Sequence, residues 1–189
     1  MKLSTNLIIS FILLIVIASL YRIMPGRPFG FAPQWAMMIF GGAVIKDKKL
    51  AFLIPILSLF ISDALYEVLY RSGVGNIPGF YDGQVTNYIL FAAMTVFGFM
   101  ITKINVLQVF GASVAAPTAF FILSNFMVWI GGGGYAHPKT FSGLMATYAD
   151  GVPFYGWSIV SSIVFSALLF GGYLLLRRST EQQKTLVKA

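Results

Sequence analysis

The chain has 189 residues, of which 58% are hydrophobic and only 10% charged, with a mean hydropathy of +0.82. A soluble domain carries roughly 25% charged residues, so this chain cannot coat a water-exposed surface, and soluble enzyme folds are excluded. There is no cysteine, which excludes disulfides, thiolate nucleophiles and cysteine metal sites, and the net charge of +7 sits at the ends of apolar runs, where it orients a membrane protein rather than binding nucleic acid.

A membrane-crossing helix uses about 20 residues, so six fit and no soluble domain does. The expected spans are about 5–24, 30–45, 50–70, 87–101, 106–130 and 154–176. They form one all-α integral membrane domain over residues 1–178, followed by a polar cytoplasmic tail over 179–189. The first apolar run, Leu7–Leu20, follows Lys2 and could alternatively be a signal peptide cleaved near Val16-Ile17-Ala18, which would leave five spans.

The second run, Pro33–Ile45, makes about 20 Å of helix and is too short to cross upright. It either extends into Gly26–Phe31 or begins as an irregular segment packed inside the bundle. Pro33 suits a first helical turn, so Gln34 beside Trp35 either satisfies backbone groups or faces a ligand.

The third run, Leu50–Tyr70, carries Asp63, Tyr66, Glu67 and Tyr70 at i, i+3, i+4 and i+7, on one helical face. Asp63 lies about 10 Å below the end of its span, where an acid costs a few kcal/mol on insertion scales unless paired or wet. It is either a ligand contact or half of a structural ion pair with Arg22 or Arg27.

The fourth run opens with Asn87 and Tyr88, and Thr86 or Asn87 is the expected helix N-cap. In the fifth, Thr118, Phe121, Asn125 and Trp129 share a face, with Pro117 as a kink. Asn125 needs a hydrogen-bond partner in lipid, and Trp129 reads as an interface anchor or a ligand wall. The Gly131–Gly134 run lacks the GK[ST] of a phosphate loop and reads as a flexible turn. The expected loop Gly131–Pro153 holds His137, Tyr148 and Asp150, the last two as lid residues. A lone histidine builds no common metal site, so no metal or cofactor is expected. In the sixth run Ser158, Ser162 and Ser166 form a small-residue stripe suited to close helix packing.

Six spans place Lys2, Lys46, Lys48, Lys49, Lys103, Arg177, Arg178, Lys184 and Lys188 on one side. Arg22, Arg27, Arg71 and Lys139 fall on the other. The positive-inside rule then puts both termini in the cytoplasm. Every Trp and every Tyr except Tyr173 falls towards the opposite, outer side, where the connections are long. An aromatic belt decorates both interfaces, so this one-sided excess points to an outer binding site.

Several segments together carry a family resemblance: Arg27-Pro28, Phe31-Ala32-Pro33, Ile39-Phe40-Gly41-Gly42, Ser62-Asp63, Ser124-Asn125-Phe126-Met127-Val128-Trp129, Phe141-Ser142-Gly143-Leu144, Tyr148 and Val152-Pro153-Phe154. With them the chain resembles a family of small bacterial membrane proteins that is itself similar to the substrate-binding S components of energy-coupling-factor (ECF) transporters. The resemblance implies a multi-pass protein of the bacterial cytoplasmic membrane that binds a vitamin-like metabolite near its outer face. It also implies a membrane coupling subunit and cytoplasmic ATPases as partners. Many S components carry an Ala-xxx-Ala face on the first helix, whereas Leu7–Ile17 here is bulky.

The leading expectation is therefore a small-molecule binding component, not an enzyme, with Asp63, Glu67, Tyr66, Tyr70, Asn125, Trp129, Arg27, Arg22, Gln34 and Asn87 as candidate contacts. Two acids beside aromatics favour an amine or cationic ring, while the arginines could serve an anion, and both readings stay open. The alternatives are an accessory subunit of a larger membrane complex and, last, a membrane enzyme using Asp63, Glu67 and His137, for which no nucleophile or metal set is present.

Overall fold

A computed structural model describes residues 5–132 and 134–186, with side chains described for 9–132 and 134–178. The protein is all-α: α1 (Thr5–Arg22), α2 (Gln34–Val44), α3 (Lys48–Arg71), α4 (Gln84–Ala93), α5 (Thr95–Phe99), α6 (Val106–Gly131) and α7 (Phe141–Leu186). A single turn at Met94 separates α4 from α5, so the two form one broken helix and the bundle has six.

Three helical stretches, Lys48–Arg71, Val106–Gly131 and Phe141–Arg178, are long and apolar enough to cross a membrane. Ile9–Arg22, Gln34–Val44 and Gln84–Phe99 are apolar but shorter. Large hydrophobic side chains face outward along the helices, including Ile12, Ile17, Ile122, Val160, Val164 and Leu168. A water-soluble monomer does not tolerate apolar surface of that extent.

The short helix α2 occupies the centre, packed by α3, α5, α6 and α7. Met37, Met38 and Ile39 are fully buried, as are Gln34 and Ala36. α2 approaches α5 at two glycines. A Cβ on Gly42 would lie 2.5 Å from the Thr95 carbonyl oxygen and 2.9 Å from Gly98 Cα, so a side chain would force the helices apart. At about 16 Å, α2 is much shorter than a hydrocarbon core of about 30 Å. The chain before it runs irregularly, as the sequence allows, and is held against α7: the Gly30 carbonyl accepts from Ser158 Oγ at 3.4 Å and Ser161 Oγ at 3.3 Å. Gly30 has φ +85° and no room for a Cβ beside the Phe154 backbone.

Three helix boundaries differ clearly from expectation. The N-cap of α4 is Gly83, at φ 84°, and not Thr86 or Asn87, so Gln84 becomes a helical residue facing inward. The last helix begins at Phe141 and absorbs half of the expected loop, so Tyr148 and Asp150 are helical and not part of a lid loop. Thr140 Oγ1 accepts from Gly143 N–H at 3.2 Å and starts the helix. Gly151 and Pro153, at the end of the expected loop, lie inside it. At Gly151 a Cβ would meet Asn125 Oδ1 at 2.7 Å and Phe121 Cε2 at 2.9 Å, so this glycine lets α7 lie against α6. At the other end α7 continues through residues expected in the tail, and beyond Arg178 their side chains lie outside the described residues, as do residues 187–189 altogether.

Gly42→Ala should lower unfolding stability by about 1–3 kcal/mol, the usual scale of overpacking. Gly111→Ala, where an added methyl meets nothing within 4 Å, should leave the melting temperature in detergent unchanged or slightly raised. Equal effects of the two would show that α2 and α5 are not in this contact.

Candidate functional site

Asp63 is 2% exposed in the middle of an apolar helix, so its carboxylate must be satisfied from neighbouring elements. Oδ1 pairs with Nη1 of Arg22, from the last turn of α1. Oδ2 accepts from Gln84 Nε2 at 2.7 Å and from the Tyr88 hydroxyl at 2.5 Å, one turn apart on α4. Arg22 Nη1 also donates to Ser62 Oγ at 2.7 Å. A single carboxylate thus ties together α1, α3 and α4. Of the two partners named from sequence, Arg22 forms the ion pair.

Arg27 serves the backbone instead. Its Nε donates to the Arg22 carbonyl at 2.9 Å, its Nη1 to the carbonyls of Pro28 and Phe31, and its Nη2 to the Tyr66 hydroxyl. Tyr66 in turn donates to the Arg22 carbonyl at 2.5 Å. These contacts satisfy the C-terminal carbonyl of α1 and fix the bend leading to α2.

Around this junction lies a two-lobed cleft. One lobe, about 350 Å³, opens between α4, α6 and α7, with Asn87, Asn125 and Tyr155 in its wall. The other, about 400 Å³, lies beneath Arg27, Gly30 and the Ile77–Gly79 turn, with Gln34 and Tyr66 in its wall. Arg22, Asp63, Trp35, Phe91 and Phe120 line both. Trp35 packs at 4.5 Å from Phe91 and 5.1 Å from Phe120, and these two rings lie 5.3 Å apart. Phe121 stacks on Tyr155 at 4.5 Å, and the Tyr155 hydroxyl lies 2.9 Å from Thr118 Oγ1.

Seven of the ten sequence candidates therefore converge: Arg22, Arg27, Gln34, Asp63, Tyr66, Asn87 and Asn125. The other three do not. Glu67 is bound by Arg71 Nε at 2.6 Å and the Gly79 amide at 3.1 Å, and it anchors the turn that covers the cleft. Tyr70 is exposed. Trp129 donates its indole N–H to the Pro138 carbonyl at 2.9 Å and holds the chain that follows α6.

The chain matches the model of a family of unknown function, DUF6580, over residues 2–184. It belongs to that family. None of the curated proteins and none of the solved structures matches it.

The residues missed from sequence are Gln84, Phe91 and Phe120. Gln84 precedes the fourth span expected from sequence, yet Gln84 and Tyr88 at i and i+4 form one polar helical face. The two phenylalanines give no sequence signal, being ordinary apolar residues among 18 of their kind. Two further polar residues have clear structural duties. Gln34, fully buried, donates to Ser58 Oγ at 3.1 Å and the Ala18 carbonyl at 3.3 Å, and its Oε1 has no protein partner. His137 Nε2 lies 2.6 Å from Asp150 Oδ2, which fastens the connection to α7. Among the described residues no cluster of three metal-ligating acids or histidines occurs.

Removing one half of a buried ion pair strands the other charge. Arg22→Gln should therefore cost about 3 kcal/mol in unfolding experiments, towards the lower end of the usual range because its side chain is 21% exposed. The double variant Arg22→Gln/Asp63→Asn should recover most of that loss. Additive losses in the double variant would show that the two groups are not coupled.

Proposed function

We propose that the protein is the membrane-embedded, substrate-binding component of a small-molecule uptake system, with its site in the aromatic cleft. The observation that carries this reading is the cleft itself. Its lobes of about 350 and 400 Å³ suit a small metabolite, and its walls combine stacking surfaces with a few fixed polar groups. A bundle built only for stability would fill this volume with side chains.

In this proposal the chain crosses the bacterial cytoplasmic membrane six times. Both termini lie inside, because the lysine-rich connections around Lys46–Lys49 and Lys103 mark the cytoplasmic end. The cleft then opens outward, where a nutrient arrives. The resemblance to S components supplies the remaining proposal, that a membrane coupling subunit and cytoplasmic ATPases drive uptake. Binding without chemical conversion is the role proposed for the site. Asp63, its central acid, accepts on both oxygens from three donors within the chain.

A second reading is favoured by that same saturation. An acid with every oxygen occupied from within the chain is what a structural junction requires, as in an accessory subunit of a larger membrane complex.

Mass spectrometry of the protein purified in mild detergent separates the two. A stoichiometric metabolite should co-purify with the wild type and fall at least tenfold in Phe120→Ala, whose melting temperature is checked in parallel. A folded wild type that retains no small molecule, together with a stable complex with other membrane subunits, would favour the accessory role.

A further inference from the structure

We propose that the cleft takes an anion: a small molecule with a carboxylate or similar acidic group on a flat, apolar body, with Arg22 holding the acidic group. This deepens the binding reading above and rests on it.

The inference follows from the hydrogen bonds each charged group in the cleft already makes. Three charged side chains line the two lobes: Arg22, Arg27 and Asp63. The second acid that would favour a cation, Glu67, lines neither lobe and is held by Arg71 and the Gly79 amide. Asp63 accepts from Arg22, Gln84 and Tyr88 and offers little to a ligand ammonium. All three nitrogens of Arg27 donate to backbone carbonyls or to Tyr66.

Arg22 is different. Both of its hydrogen bonds leave from Nη1, to Asp63 and Ser62. Its Nε and Nη2 make no hydrogen bond among the described residues, its side chain is 21% exposed, and it lines both lobes of the cleft. Nε–H and the adjacent Nη2–H form the side-on edge of the guanidinium, two parallel donors spaced to match the two oxygens of a carboxylate. The pairing of Nη1 with Asp63 orients that edge, so little side-chain entropy is lost when an anion docks. The lining as a whole carries one excess positive charge. Trp35 lies in the first turn of α2 and lines both lobes, so the positive end of that helix dipole adds to the same field. The ligand body then meets Trp35, Phe91 and Phe120.

Three probes with one ring system and different charge test this: naphthalene-2-carboxylate, naphthalene-2-carboxamide and 2-naphthylmethylammonium. Each is titrated into the full chain in lipid nanodiscs, with empty nanodiscs as the control for partitioning. The carboxylate should bind at least tenfold more tightly than the amide, and the ammonium most weakly. Arg22→Lys keeps a cation beside Asp63 but lacks the paired donors, so its preference should fall below threefold while its melting temperature stays close to wild type. Arg22→Gln/Asp63→Asn leaves the lining with the same net charge, that of Arg27, but without the paired donors, so its preference should also fall below threefold.

Equal binding of carboxylate and amide by the wild type, or tightest binding of the ammonium, would overturn the anion assignment and leave the binding reading standing. A carboxylate preference that survives both variants would overturn the role of Arg22. A folded wild type that binds none of the three, and retains no metabolite on purification, would overturn both the assignment and the binding reading.

Discussion

An ionisable acid in the middle of an apolar helix has to be neutralised by geometry, and Asp63 sets that condition for one whole end of this bundle. Its carboxylate needs donors that α3 does not supply. They come from the last residue of α1 and from two residues one turn apart on α4. Satisfying one side chain therefore fixes where α1 ends, at what level α4 begins and how both face α3. The neighbouring contacts consolidate that arrangement: Tyr66 and Arg27 bind the Arg22 carbonyl, and Glu67 and Gln84 hold the Gly79 turn from its two sides. Electrostatic contacts of this kind add little net stability compared with well-packed apolar side chains, and removing one partner costs far more than replacing both.

The cleft follows from a second constraint, the length of α2. A central helix of 11 residues cannot fill a bundle whose long members have 24 residues or more. The chain before it contributes backbone and a few side chains where two further helical turns would otherwise stand. The close glycine contacts of α2 with α5 hold the helix at the other end of the bundle, so it cannot slide to fill the gap. The volume left over is lined by the aromatic rings of α2, α4 and α6 and by the Asp63 junction.

Where the sequence could be read correctly, the signal was local. The apolar runs gave the helices, because the bilayer and the 1.5 Å helical rise demand long unbroken apolar stretches. The same arithmetic marked α2 as too short. Asp63 was conspicuous because a charge in such a stretch has few structural explanations. The errors were local too. Gly151 and Pro153 are breakers by propensity, yet α7 passes through both, since packing against Asn125 and Phe121 outweighs the local preference. Glu67 shared a helical face with Asp63, but a face spans roughly 100° of arc, enough for one acid to enter the bundle and the other to catch a surface turn.

The sequence by itself determined that this is an all-α protein with helices long and apolar enough to span a membrane, a short second helix and an acid within an apolar run that has to be satisfied from elsewhere, because composition, hydrophobic period and span length are properties of consecutive residues. Only the tertiary structure decided which cation pairs with that acid and which donors complete its shell. It also decided which rings line the cleft and which nitrogen of Arg22 carries its hydrogen bonds. Those outcomes depend on contacts between residues 41 positions apart, as Arg22 and Asp63 are, and on the hydrogen bonds each group has left after its neighbours are satisfied. No spacing within a single helix encodes them.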